Sequence, residues 1–238
     1  MIASRRRRAF ERGALWAMDL AGSGKGSPLP QQRAAPTLVL PHVAAVFGEV
    51  RRESAELLAT AMGLPDPEPI LRRFATGRRC FAVWVEDQIA AYGWVSQAVE
   101  CIGELEREIQ ISADEAYIWD CVTLPLHRRR RLYSTLLSYI AAQLRGEGVR
   151  RAWIGSSLGN RPSIRGFANA GFQPVVTLIY ARFFNLCCLS VIGHPTASGE
   201  LIVAARRALT ADGERAWGSF VVGRSGPTQF PACAQIEV

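Results

Sequence analysis

The sequence predicts an α/β fold, and three observations carry that expectation. Runs rich in β-branched and aromatic residues alternate with runs whose apolar residues recur at three and four. Near the middle, YIWDCVTLPLHRRRRLYSTLL (Tyr117 to Leu137) reads as a strand that stops at a proline and turns at once into an amphipathic helix. Of the 238 residues, 49% are hydrophobic, enough for one large domain with extensions to fill a core.

Residues 1–36 combine Arg5 to Arg8, a Gly-Ser-Gly-Lys-Gly-Ser piece, Pro28, Pro30 and two glutamines. That composition offers little to bury, so a disordered basic leader is expected. The glycine piece lacks the G-x-x-x-x-G-K-[ST] spacing and the preceding strand of a phosphate loop. Thr37 to Leu40 is a short strand, and Pro41 is expected to open a helix through Val43, Val46, Phe47, Val50, Leu57 and Leu58, ended by Gly63. Ile70, Leu71 and Phe74 predict a second short helix closed at Gly77. Cys80 to Val85 and Ile89 to Ser96 form a hairpin around Glu86-Asp87-Gln88, with Trp84, Tyr92 and Trp94 read as sheet packing. Glu104 to Ser112 alternates like a half-exposed strand and turns back at Ala113 and Asp114.

Tyr117 to Thr123 is the central strand, and Pro125 cuts its ladder. Leu132, Leu136, Tyr139, Ile140 and Leu144 share one face of the helix that follows. Arg128, Arg129, Arg130 and Arg131 therefore stand at a helix entrance, where free N–H groups already carry positive charge and added cations are unfavourable by about 0.3–1 kcal/mol each. A bound anion reverses the sign: guanidinium groups and the amides up to Leu132 and Tyr133 would converge on phosphate oxygens. Arg151 to Ser157 is the next strand, Asn160 opens a helix with Pro162 in its first turn, Gly171 ends it, and Val175 to Phe183 is a further core strand. In the tail, Leu201 to Leu209 is expected to be a helix and Ala216 to Val222 a strand.

The passages VTLPLHRRRRLYSTLL and GVRRAWIGSSLGNRPSIRGFANAGFQPV resemble the core of the GNAT N-acetyltransferase superfamily: a strand, a proline, R-x-x-G-x-G/A opening a helix, a second strand, then Asn and Gly-Phe. Asn160 and Gly171-Phe172 supply the later half of that pattern. The match runs from about Glu115 to Phe184, and Thr37 to Asp114 accords with it. The resemblance implies a mixed central sheet flanked by helices over residues 37–184, with 185–238 as a C-terminal extension of open role. It also implies an acyl-CoA co-substrate, acetyl-CoA or another, with its pyrophosphate on Arg128 to Arg131, Leu132 and Tyr133. Backbone near Val122 and Thr123 would take the pantetheine arm and thioester oxygen, and Asn160 and Ser163 would lie along the same arm. Two departures stand out. Arg131 and Tyr133 replace the motif's glycine and its glycine or alanine, and Phe167 stands where many members carry a tyrosine proposed to protonate the leaving thiolate.

The formal net charge of +7 favours acidic ligands, yet beyond the two arginine runs the positive residues are scattered, which argues against a dedicated nucleic-acid footprint. The six cysteines, Cys80, Cys101, Cys121, Cys187, Cys188 and Cys233, show neither C-x-x-C spacing nor a nearby histidine pair, so no metal site is indicated and reduced thiols in a cytoplasm are expected. Phe183 to Ile192 is apolar but far short of the ~20 residues a membrane span needs.

Asp120 is the candidate general base, a carboxylate on the central strand whose burial would favour proton uptake; the competing role is a structural bond to backbone or an arginine. Glu115, Glu108 and Glu86 are further candidates. Cys121 lacks an activating histidine in the sequence, so direct attack by the acceptor in a ternary complex is expected. Asn160 also suits a helix N-cap, and His127 suits an anion contact or the surface. The expected function is acyl transfer from coenzyme A to a small-molecule or peptide amine. A noncatalytic acyl-CoA-binding domain and a basic nucleic-acid-associated protein are the alternatives, and the oligomeric state is open.

Overall fold

The computed structural model describes residues 10–21, 37–40, 43–102, 105, 107–183, 186–210, 215–217 and 220–224. The strands are β1 (Phe10–Asp19), β2 (Thr37–Leu40), β3 (Val43–Val50), β4 (Arg79–Val85), β5 (Gln88–Ser96), β6 (Val99–Ile102), β7 (Arg107–Gln110), β8 (Glu115–Thr123), β9 (Arg151–Ser157), β10 (Gln173–Phe183), β11 (Leu186–Gly193), β12 (Arg215–Trp217) and β13 (Phe220–Arg224). The helices are α1 (Ala55–Met62), α2 (Glu68–Ala75), α3 (Leu132–Gly146), α4 (Arg161–Ala170) and α5 (Gly199–Ala208). Among the described residues one mixed sheet runs in the order β12-β13-β11-β10-β1-β9-β8-β5-β4-β3-β2, and β6 and β7 form a separate hairpin. The expected α/β class and mixed central sheet are therefore found.

Two local expectations are corrected. Phe10–Asp19, expected within a disordered leader, is a strand inserted between β9 and β10 and antiparallel to both. Leu15, Ala17 and Ala14 are buried there, and the neighbouring strands supply every ladder bond that the local composition does not advertise. Val43–Val50, expected as the start of a helix, is a strand paired with β4. Its valines and phenylalanine suit either state at short range; burial of Ala45 and Phe47 beside exposed Val46 has the two-residue period that the sheet imposes. The sheet also takes in residues from 186 on, since β10 pairs with β11 from Val176↔Gly193 to Phe183↔Leu186. Cys80, Cys121, Cys187 and Cys188 are free thiols, whereas Cys101 is disulfide-bonded, which corrects the expectation that all the cysteines are reduced. Cys233 lies outside the described residues.

Three apolar layers cover the sheet. On one face α3 and α4 bury Leu136, Leu137, Ile140 and Phe167 against Phe47, Phe81, Val83 and Ile118. The opposite face is divided: α1 and α2 cover the β3–β5 side through Leu58, Ile70 and Trp94, and α5 with the β6–β7 hairpin covers the β9–β11 side through Ile109, Trp153, Leu178 and Ala205. Burying each of the larger aliphatic and phenylalanine side chains contributes about 1.5–3 kcal/mol, enough to hold a sheet whose middle is not continuous.

Candidate active site

That discontinuity lies between β8 and β9. They run parallel and pair from Glu115↔Arg151 to Ile118↔Ile154, then stop, although both strands continue. Beyond that point β9 stays with β1 as far as Gly13↔Ser157, and β8 stays with β5 as far as Ala91↔Thr123. Each strand follows its outer partner, so the sheet is torn open. A bulge assists: Trp94 faces Trp119 and Tyr92 faces Val122, so β8 takes one residue more than β5 over this step. Asp120 adopts φ 44° within it. Gly93 on β5 makes room, since a Cβ there would lie 2.7 Å from Cys121 Sγ.

A cavity of about 250 Å³ fills the tear and passes through the sheet. Tyr133, Phe167, Asn160 and Ser163 line it on the α3–α4 side, and Tyr117, Trp119, Ile102, Leu105 and Leu178 line it on the other. β1 completes the wall with Glu11, Arg12 and Gly13.

The arginine turn lies at the α3 entrance. Pro125–His127 is a single 3₁₀ turn, after which Arg129 and Arg131 take left-handed backbone, φ 65° and 59°. Arg131 is the residue before α3, and no side chain caps this helix end. Its carbonyl instead accepts from the Thr135 amide at 3.1 Å, Thr135 Oγ1 at 3.0 Å and Ser134 Oγ at 3.1 Å, which locks the turn. The N–H groups of Leu132, Tyr133 and Ser134 open the helix and have no carbonyl one turn back within it. All four arginines are exposed, and Arg128 Nε donates to the Thr123 carbonyl at 3.3 Å. Thr123 Oγ1 and His127 Nδ1 are buried at this turn without a partner. The left-handed position is where the sequence motif has glycine. Holding an L-residue there costs roughly 1–2 kcal/mol, against the 0.5–1 kcal/mol that glycine forfeits in chain entropy. Arg131→Gly is therefore expected to raise stability, by up to about 1 kcal/mol, read as a small increase in Tm; a clear decrease would show that the Arg131 side chain holds the turn.

Asp120 is not the buried carboxylate that was expected. Its side chain is 28% exposed, and its Oδ2 accepts from Arg73 Nη1 at 2.7 Å. Arg73, on α2, has its guanidinium carbon 4.7 Å from the Trp119 ring centre and 4.8 Å from that of Trp94, and the two indoles stack at 5.9 Å. The bond to an arginine, the structural alternative, is therefore the arrangement observed. Cys121 lines the cavity, and burial, with the Asp120 charge adding to it, pushes its thiol well above the ordinary cysteine range. Thiolate is thus scarce at neutral pH, which disfavours Cys121 as a nucleophile. Glu115 is buried in a network with Arg150, Arg151 and Trp153, and Glu86 stands in the β4–β5 turn.

Asn160 caps α4, its Oδ1 accepting from the Ser163 amide at 3.3 Å, and both residues line the cavity as expected. Val122 and Thr123 lie on β8 just past the cavity wall, with Val122 packed toward the α1–α2 cluster. Arg131 lines a second, polar depression of about 420 Å³ with Ser134, Thr135, Ser138 and Asn169, between α3 and α4. Sequence reasoning missed Arg73, which lies 47 residues from Asp120 with no motif linking them, and the β1 wall. Among the described residues no histidine, cysteine and carboxylate cluster suits a metal ion, and no helix is long and apolar enough to cross a membrane.

The family model described as the acetyltransferase (GNAT) family matches residues 50–172, and the chain belongs to that family. Among solved structures, a GCN5-related N-acetyltransferase from Sphaerobacter thermophilus is similar with a TM-score of 0.50 at 13% identity, over 80% of this chain and 55% of that one. A GNAT-family acetyltransferase from Colwellia psychrerythraea is similar with a TM-score of 0.46 at 11% identity, over 73% of this chain and 56% of that one. The chain thus spans little more than half the length of either. Comparison with curated proteins gives no match. The cavity wall on β1 lies outside the matched residues.

Proposed function

We propose that the protein transfers an acetyl or related acyl group from coenzyme A to an amine, by direct attack in a complex holding both. The observation that carries this reading is the tear between β8 and β9 beside the uncapped entrance of α3, in a chain of the GNAT family.

The residues present fit an acyl-CoA. Four exposed guanidinium groups and the open amides of Leu132, Tyr133 and Ser134 would hold the pyrophosphate, as helix entrances and arginine forks hold phosphates in general. The partnerless Thr123 Oγ1 at the same turn and the β8 edge freed from β9 offer hydrogen-bonding groups for an amide-bearing arm. Asn160 and Ser163 border the route on the far side. When bound, the co-substrate supplies an acyl carbon activated as a thioester. The protein's contribution is position: the anion turn fixes one end, the tear aligns the other, and the cavity leads through the sheet to the Trp119, Ile102 and Leu105 face, where an amine would enter. Amides along the freed β8 edge would meet negative charge developing on the acyl oxygen. Asp120 is the proposed acceptor of the amine's proton, through water, because Arg73 occupies its Oδ2.

Calorimetric titration with acetyl-CoA, followed by thiol release against a panel of small and peptide amines, tests the reading. Binding with turnover on at least one amine class is expected, together with no acetyl adduct on Cys121 by intact-mass measurement when acceptor is withheld. Absence of acetyl-CoA binding by folded protein would overturn the assignment, and binding without turnover on any amine would favour the noncatalytic domain.

A further inference from the structure

Tyr133 carries a hydroxyl in the cavity wall that the mechanism above leaves without a chemical task. It stands two residues past the left-handed Arg131, in the first turn of α3, and so between the anion turn and the tear. Its ring stacks on Phe167 at 6.4 Å with a 30° interplanar angle, and its hydroxyl is hydrogen-bonded to the Ser163 side chain. The ring lies directly over α4 at Gly166, where a Cβ would come within 2.2 Å of Tyr133 Cδ1. Any residue larger than glycine at 166 would drive the ring from this place. The phenol is thus fixed from three sides: α3 carries it, Gly166 admits it, and Phe167 and Ser163 orient it. Other proton donors near the tear fit the task less well. Cys121 Sγ is engaged with the Trp119 carbonyl at 3.4 Å, and Tyr117 packs into the cluster on the opposite face.

We propose that Tyr133 is the catalytic proton donor to the leaving sulfur, an assignment that rests on the acyl-CoA reading above. As the amine nitrogen's lone pair forms the N–C bond and the C–S bond breaks with its electrons on sulfur, Tyr133 gives its hydroxyl proton to that sulfur. The nitrogen's proton passes through water to Asp120 and from there to solvent, and the phenolate recovers a proton from solvent, so the protein returns to its starting state. Burial holds the phenol above its ordinary range, so it stays protonated and able to donate, while the Ser163 hydrogen bond works the other way and favours the transient phenolate.

Tyr133→Phe keeps the ring, the stack and the fit over Gly166, so it should fold, which circular dichroism checks. A fall in kcat of about 10²-fold is expected, with KM for acetyl-CoA changed less than about threefold. A readout independent of turnover is the ionisation of CoA bound as product, followed by thiolate absorbance. With the hydroxyl donating to sulfur, the bound thiol should titrate about one pH unit lower in the wild type than in Y133F. Unchanged kcat and an unchanged thiol titration in a variant that still binds acetyl-CoA would overturn the assignment. Equal loss of acetyl-CoA affinity and turnover would also overturn it, marking Tyr133 as a packing residue. Failure of the wild type to bind acetyl-CoA would instead remove the underlying function.

Discussion

Replacing Arg128, Arg129, Arg130 and Arg131 together by alanine should raise the acetyl-CoA dissociation constant by about 10²–10³-fold. Charge-assisted hydrogen bonds are worth about 1.5–3 kcal/mol each, and the loss of one or two such contacts gives a change of that size. The effect should be specific to the ligand. All four side chains are exposed, none forms an ion pair with a described residue, and α3 is anchored by Leu132, Leu136, Leu137 and Ile140 rather than by the turn. Melting temperature should therefore move little. Because the guanidinium groups face solvent, wild-type affinity should weaken with added salt, and the variant's should weaken less. Calorimetry at two ionic strengths checks both points. Unchanged affinity in the folded variant would move the pyrophosphate away from this turn. The left-handed φ values of Arg129 and Arg131 belong to the same expectation: the backbone keeps a conformation that exposes its amides even though the side chains make it costly.

The central unit was legible because its signals are local. A β-rich run ended by Pro125 and an apolar stripe from Leu132 to Leu144 are each visible within a dozen residues, and Asn160 with Gly171 marks both ends of α4 in the same way. What the sequence hid is set by partners far along the chain. β1 is a strand because β9 and β10 lie on either side of it, more than a hundred residues later. Val43–Val50 is a strand because β4 pairs with it; by itself its pattern also fits a helix face. The surroundings of Asp120 were hidden for the same reason, since neither the bulge that turns it nor the Arg73 that pairs with it is written in the residues flanking it. The donor group was the opposite case. Tyr133 and Phe167 were both visible as departures from the family pattern, and only their stacking over Gly166 links the two into one arrangement.

Glu115→Ala should destabilise the protein by about 3–5 kcal/mol, the cost of breaking a buried ion pair by removing one of its members. Glu115 is 2% exposed and sits at the first paired position of β8 and β9, at the opposite end of the short ladder from the tear. Its Oε1 accepts from Arg150 Nη2 at 2.8 Å and Arg151 Nη1 at 3.0 Å, and its Oε2 from Trp153 Nε1 at 2.7 Å. Arg151, with a side chain only 4% exposed, also bonds Asp19 on β1 at 2.9 Å, so one network ties β8 to the β9–β1 pair from which it parts above. Removing the carboxylate leaves the Arg151 guanidinium and the Trp153 indole N–H buried with too few acceptors. Glu115→Gln keeps the volume and one acceptor oxygen and should cost less than the alanine change. Urea unfolding of the two variants checks this through the midpoint, with the slope unchanged if the unfolded state is not altered. A loss below about 1 kcal/mol for the alanine variant would show that the network contributes little. The parallel ladder below the tear is only four residue pairs long, Glu115↔Arg151 to Ile118↔Ile154. A clamp is needed there because the tear cannot supply ladder bonds of its own. The torn part of the sheet therefore depends on a polar knot that never touches it.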